Sequence, residues 1–150
     1  LIDFDVHHGN GSEDILFDDP HVLMCSIFEK NLYPFCGDVP MGANMVNVGL
    51  PTRSGSEAFR QAVSEVWMPA LEKFQPEMIF ISAGFDGHRE DDMGNLALVE
   101  ADYEWVTKQI VMIAQRYSHG RIVSCLEGGY DLSSLGRSVA AHVRVLIGAD

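Results

Sequence analysis

No apolar run in the 150 residues approaches the roughly 20 needed to cross a bilayer, and the start carries no recognisable signal peptide. A membrane partner is therefore not expected. Basic residues are scarce: 10 Lys and Arg stand against 22 Asp and Glu, giving a net charge of −12. That balance argues against nucleic acid as a direct partner, because phosphate contacts need clustered cations. It suits a basic partner such as a lysine-rich tail or a polyamine, and serves equally well if acidity only keeps the chain soluble. Cysteine is also sparse. The three, Cys25, Cys36 and Cys125, are odd in number and show no paired spacing. Cys25 and Cys125 lie in apolar, strand-like runs, where a thiol acts as a small hydrophobe. This points to a reducing cytoplasm (or a nucleus, in a eukaryote) and away from a disulfide framework or a thiolate zinc site. Internal repeats and low-complexity tracts are lacking too.

What is present is an ordinary globular composition, 47% apolar, in a chain long enough to bury one core. Residues 1–5 read as a strand ending in charged residues, and 12–17 as a short helix. Residues 22–27 form a continuous apolar run of the buried parallel type. Residues 29–44, rich in Pro, Gly and Asn, make a long loop of the kind that is more often functional than idle. Residues 45–50 are a further strand. Ser54 and Glu57 have capping-box spacing ahead of a helix marked by Phe59, Val63, Val66, Trp67, Ala70, Leu71 and Phe74. Pro69 is expected to kink it. Residues 78–82 form a strand, residues 103–117 a helix stopped by Gly120, residues 121–126 a strand and residues 132–147 a last helix. Alternating strand and helix predicts an α/β fold with a central, mostly parallel sheet. A natural protein rarely opens in mid-sheet, so residues 1–150 are expected to be the C-terminal part of a single domain whose N-terminal half is missing.

The polar residues collect at strand ends. Asp3, Asp5 and His7, then Ser26, Asp86 and Tyr130, all fall at or just beyond the C-terminal ends of expected strands, where open parallel sheets bind their ligands. Asp3, Asp5 and His7 are spaced by two, so an extended chain turns all three to one side. Asp-x-His brings a carboxylate and an imidazole onto one cation, and catalytic zinc uses three protein ligands with a fourth position open. Asp86 is the natural third, since an acid ending a buried strand needs a partner for its charge. Taken alone, Asp-x-His also reads as a solvated turn; Asp86 and the Gly-Gly-Tyr turn tip the reading toward metal.

Asp3-Phe4-Asp5-Val6-His7-His8-Gly9-Asn10-Gly11, Ser82-Ala83-Gly84-Phe85-Asp86 and Leu126-Glu127-Gly128-Gly129-Tyr130-Asp131-Leu132 together resemble the signature segments of histone deacetylases and acetylpolyamine amidohydrolases. The order and separations match, so the resemblance covers essentially the whole chain. Asn10 and the Gly-Gly-Tyr-Asp-Leu form resemble class II members or bacterial relatives. The resemblance implies the three-layer arginase/deacetylase fold, here incomplete at its N-terminus. It also implies a zinc-dependent amidohydrolase removing acetyl groups from acetyl-lysine in proteins. One zinc would be held by Asp5, His7 and Asp86, with Tyr130 donating its hydroxyl to the substrate carbonyl. A structural potassium ion would sit at Asp3 and Ser26 with carbonyls of Asp3, Asp5, His7, Ser26 and Ile27, and Asp3 would also orient a catalytic histidine. The substrate channel would involve Tyr33, Met93, Gly128 and Gly129, the two glycines letting the backbone turn tightly enough to aim Tyr130 inward.

Departures from the pattern matter as much. Two-metal relatives of the arginase kind carry Asp-x-His-x-Asp; the last position here is Gly9, which favours one metal. The family's general base belongs to a tandem His pair upstream of the metal motif, and this sequence begins two residues before Asp3. Residues 1–150 alone are expected to bind metal or catalyse poorly. His8 should point away from the metal side, His21, His119 and His142 read as ordinary residues, and His88 is the one substitute candidate for the base. Phe35 stands where the channel segment usually has glycine, which puts the conformation of that loop in question. Met93 stands where polyamine-selective members carry Glu, which favours acyl-lysine over acetylated polyamines or other small amides. A catalytically incomplete binding module is the remaining alternative, and the oligomeric state is open.

Overall fold

The computed structural model describes residues 1–149. Five strands, β1 (Ile2–Asp3), β2 (Met24–Glu29), β3 (Met45–Leu50), β4 (Ile79–Ala83) and β5 (Ile122–Leu126), form one sheet in the order β3-β2-β1-β4-β5. Every pairing is parallel. The helices are α1 (Asn10–Leu16), α2 (Ser56–Ala62), α3 (Met68–Phe74), α4 (Glu100–Tyr117) and α5 (Leu132–Leu146). No helix of the described residues is long and apolar enough to cross a membrane.

The shortest strand is the central one. Ile2 and Asp3 pair with Cys25 and Ser26 on one side and with Ile81 and Ser82 on the other. The chain stays in register beyond the strand, because Phe4 N–H donates to the Ser82 carbonyl and Glu29 N–H to that of Val6. Side chains alternate across an extended chain. Ile2, Phe4 and Val6 accordingly enter the core with Ile27, Ile81, Phe85 and Trp67, whereas Asp3, Asp5 and His7 line a cleft. The alternation expected from the spacing is what the central strand delivers.

Two local expectations are corrected. Ser54 does not cap α2 with Glu57; Gly55 precedes the helix and no side chain caps it. The Ser54 carbonyl instead accepts from Ala97 N–H, and Gly55 bridges Ala97, so tertiary pairing holds this stretch extended. Asp102 of α4 takes over the anchoring, accepting from Ser56 Oγ (2.7 Å) and Arg60 Nε (2.9 Å). Pro69 lies in the first turn of α3 and follows a π-helical turn at Val63–Trp67. The missing proline N–H is thus absorbed by widening the preceding turn. A third correction concerns Cys125, which is exposed, unlike Cys25. It lies on the edge strand β5, on a face where Phe80 and Val123 are also exposed. In Cys25, burial pushes the thiol pKa up to about 12.

His142 is more than an ordinary helical residue. Its ring is buried beside Phe4 and Phe85, with Nδ1 2.7 Å from Thr107 Oγ1 and Nε2 2.9 Å from Ser124 Oγ. It thereby ties α5 to α4 and β5. Burial holds its pKa down at about 4, against an ordinary 6.5. The unfolded chain takes up a proton below 6.5 that the folded chain refuses until about 4. This contribution is therefore complete above 6.5 and lost as pH falls toward 4, amounting to on the order of 3 kcal/mol. Denaturant titrations between pH 7 and pH 4 should show a shallower fall for His142→Gln than for the parent; equal slopes would contradict this assignment.

Candidate metal centre

Three strand ends build the centre. Asp5 and His7 leave β1, Asp86 follows β4, and Gly128 and Tyr130 follow β5. His7 Nδ1 is 3.0 Å from Asp5 Oδ1 and 3.1 Å from Asp86 Oδ2. One donor atom from each of these residues lies within 4.8 Å of the others, the sole such group among the described residues. The carboxylates are aimed by backbone N–H groups. Asp5 Oδ1 accepts from His7 N (2.8 Å), Asp5 Oδ2 from Gly128 N (2.7 Å) and Asp86 Oδ1 from Val6 N (3.0 Å). Asp86 Oδ2 is buried and has no hydrogen-bond donor.

Charge is crowded here, with the His7 imidazole beside the carboxylates and no Lys or Arg among the described residues paired to them. Asp86 is fully buried, and desolvation, reinforced by the nearby Asp5, pushes its pKa up to about 7. Asp3 is also buried, and desolvation raises its pKa well above the usual carboxylate range. Its Oδ1 accepts from Asp5 N–H at 3.0 Å. Two carboxylates and one imidazole nitrogen converging on a point, with one oxygen lacking a donor, fit a divalent transition metal, and the set is one that zinc accepts.

Glycine makes room for this convergence. A Cβ at Gly84 would meet Asp5 Oδ2 at 2.2 Å, and one at Gly128 would meet Asp86 Oδ2 at 1.9 Å. The two glycines of the tyrosine turn therefore have different tasks. Gly128 supplies space, whereas Gly129 supplies a backbone bend at φ +139°.

The other candidates fall into place around a cleft of about 370 Å³. Tyr130 lines it with Asp5, His7 and Gly128. Partial desolvation and the charges of Asp86 and Asp5 raise the Tyr130 pKa, so its hydroxyl remains a proton donor at neutral pH. The Tyr33 ring stands edge-on to His7, with centroids 6.4 Å apart, in a loop containing a cis Tyr33–Pro34 bond. Phe35 adopts φ +62°, the left-handed conformation a glycine takes freely. The usual glycine geometry is thus open to phenylalanine here. Met93 is half-exposed in the loop between β4 and α4, outside the cleft lining.

Ser26 is buried opposite Asp3 in the β1–β2 ladder, with its Oγ 3.0 Å from His8 Nδ1. His8 Nε2 is 2.6 Å from Glu13 Oε2, so both ring nitrogens are engaged. His88 does not serve as a substitute base. It is buried outside the cleft lining, its Nδ1 accepts from Glu90 N–H and its Nε2 lies 3.5 Å from Glu100. The reading of the sequence missed Gly84, Glu13 and Asp91. Gly84 was detectable as a small residue two positions ahead of Asp86; the two acids carry little local signal, because most of their partners lie far along the chain.

Comparison with known proteins agrees with this architecture. The histone deacetylase domain family matches residues 1–146. The chain is 42% identical to the type-2 histone deacetylase 2 of Dictyostelium discoideum over 98% of its length, and 40% identical to the chloroplastic histone deacetylase 14 of Arabidopsis thaliana over all of it. It spans only 10% and 37% of those two proteins. Among solved structures, the HDA15 HD domain superposes with a TM-score of 0.87 at 32% identity, covering 98% of this chain and 44% of that one. With the same parallel sheet and the Asp-x-His and Gly-Gly-Tyr segments at its C-terminal edge, the chain belongs to the histone deacetylase domain family and has the arginase/deacetylase fold.

Proposed function

We propose that this chain is the metal-binding part of a zinc-dependent deacetylase that removes acetyl groups from lysine side chains. The observation that carries the reading is the convergence of Asp5, His7 and Asp86 at the cleft that Tyr130 also lines. Asp5, His7 and Asp86 would hold one zinc ion. When bound, zinc would supply the Lewis acidity that polarises an amide carbonyl. The protein's own groups do the rest. Tyr130, kept protonated, donates a hydrogen bond to the carbonyl oxygen as negative charge builds on it. The Gly128 N–H fixes Asp5, and the Tyr33 ring forms a wall beside His7. Gly128 leaves space beside the two carboxylates, and Gly129 bends the turn that carries Tyr130.

Asp3 and Ser26, with the carbonyls of Asp5, His7 and Ile27, are the proposed seat of a structural potassium ion. The supporting feature is the buried Asp3 carboxylate, for which the oxygen-rich strand ends offer no positive partner. The general base lies outside residues 1–150 in this reading, since His8 is doubly engaged and His88 faces away from the cleft. The 150 residues alone should therefore not turn over substrate. Acetyl-lysine in a basic peptide is the favoured substrate, supported by the net charge of −12; acetylated small amines come second. Free cysteines throughout suit a reducing compartment, cytoplasm or nucleus.

In the intact protein, acetate release from acetyl-lysine peptides should exceed that from acetylated polyamines and should stop on chelation. Tyr130→Phe should lower kcat about 100-fold or more with little change in KM, the cost of removing one oxyanion donor; full activity in that variant would sink the mechanism. Gly128→Ala should weaken zinc affinity at least about tenfold in chelator competition, because the new methyl displaces Asp86. Unchanged affinity would show that the carboxylates are not the ligands.

A further inference from the structure

The loop that begins at Asp86 carries a second buried acid, Asp91, five residues on. One of its oxygens closes a local turn, Oδ1 accepting from Met93 N–H at 2.9 Å. The other reaches across to the tyrosine turn. Oδ2 accepts from two successive backbone N–H groups, Tyr130 at 2.6 Å and Asp131 at 3.0 Å. Hydrogen bonds from N–H groups to a carboxylate are shorter and stronger than neutral ones.

The tyrosine turn shows why that contact matters. Its first half is pinned to the sheet: Glu127 N–H donates to the Ala83 carbonyl, Phe85 N–H to that of Gly128, and Gly128 N–H to Asp5. Gly129 then bends at φ +139°, a conformation in which the backbone has no Cβ to stiffen it. Its second half opens α5, where the Asp131 side chain accepts from Ser134 N–H. Between the glycine hinge and the helix, Asp91 is what holds the Tyr130 backbone. Arg137 of α5 reinforces the same junction from outside through Glu90 and Glu100, but these pairs are exposed and weak.

We propose that Asp91 is the positioning residue for Tyr130: its carboxylate clamps the backbone N–H groups of Tyr130 and Asp131 and fixes the direction in which the ring enters the cleft. The catalytic consequence rests on the role of Tyr130 given above; the clamp itself does not. One loop then delivers both a candidate metal ligand and the clamp for the tyrosine that lines the cleft.

The test uses the intact protein with Asp91→Asn, alone and combined with Tyr130→Phe. Amide hydrogen exchange is read at residues 130 and 131, with the Glu127 amide as internal control, alongside kcat and KM. Exchange at 130 and 131 should accelerate about tenfold or more while Glu127 is unchanged, as expected when a local bond is lost without global unfolding. The kcat should fall about 10- to 100-fold with KM within about twofold, the effect of a displaced catalytic group. Asp91→Asn should cost nothing further in the Tyr130→Phe background. Should Asp91→Asn not fold, Asp91→Glu keeps the charge, loosens the clamp and should show the same exchange signature. Unchanged exchange at 130 and 131, or an equal kcat loss in the Tyr130→Phe background, overturns the proposal. Faster exchange together with a fully active Tyr130→Phe leaves the clamp standing and removes the catalytic role of the tyrosine instead.

Discussion

Two buried carboxylates held on one point, with one imidazole and no Lys or Arg among the described residues to balance them, form the constraint on which the rest of this structure depends. Asp5 and Asp86 are brought together by strand ends that cannot separate without breaking the sheet, and Asp3 adds a third buried acid one step along the same strand. Asp86 is fully buried, so water screens its charge little. Burial and the charge of Asp5 push Asp86 up to about 7. An arrangement of this kind is costly in an apoprotein and becomes favourable around a divalent cation.

The surrounding parts serve that convergence. β1 is two residues long, yet it is flanked on both sides by parallel partners, which lets its exit carry Asp5 and His7 on the cleft side and Phe4 and Val6 in the core. Gly84 and Gly128 leave the space the carboxylates occupy. Three backbone N–H groups, from Val6, His7 and Gly128, fix the oxygens, so the donor set is held in place before any ligand arrives. Tyr130, by contrast, approaches across a glycine hinge and owes its place to the Asp91 loop.

The candidate metal residues were legible because their signal is local. A period of two through Asp3, Asp5 and His7 survives folding unchanged when the strand is central. Asp86 and Tyr130 were legible as polar residues ending apolar runs, and the strand–helix alternation was enough for the parallel sheet. What stayed hidden depended on contacts far along the chain. Ser54 had the residue types of a helix cap, but its backbone pairs with Ala97. Cys125 sits in an apolar run, but its strand falls at the sheet edge, and strand order is not written in any one segment. His142 looked ordinary until Thr107 and Ser124 closed on its two nitrogens. His88 lay two residues from Asp86, yet the loop turns it toward Glu100.

The claim that this acidic convergence is a single-metal site is open to a direct count. Native mass spectrometry of the intact protein, purified without added chelator, should find one zinc ion per chain, lost together with Asp86→Asn. Two divalent metal ions per chain, or a stable and active protein with none, would contradict it.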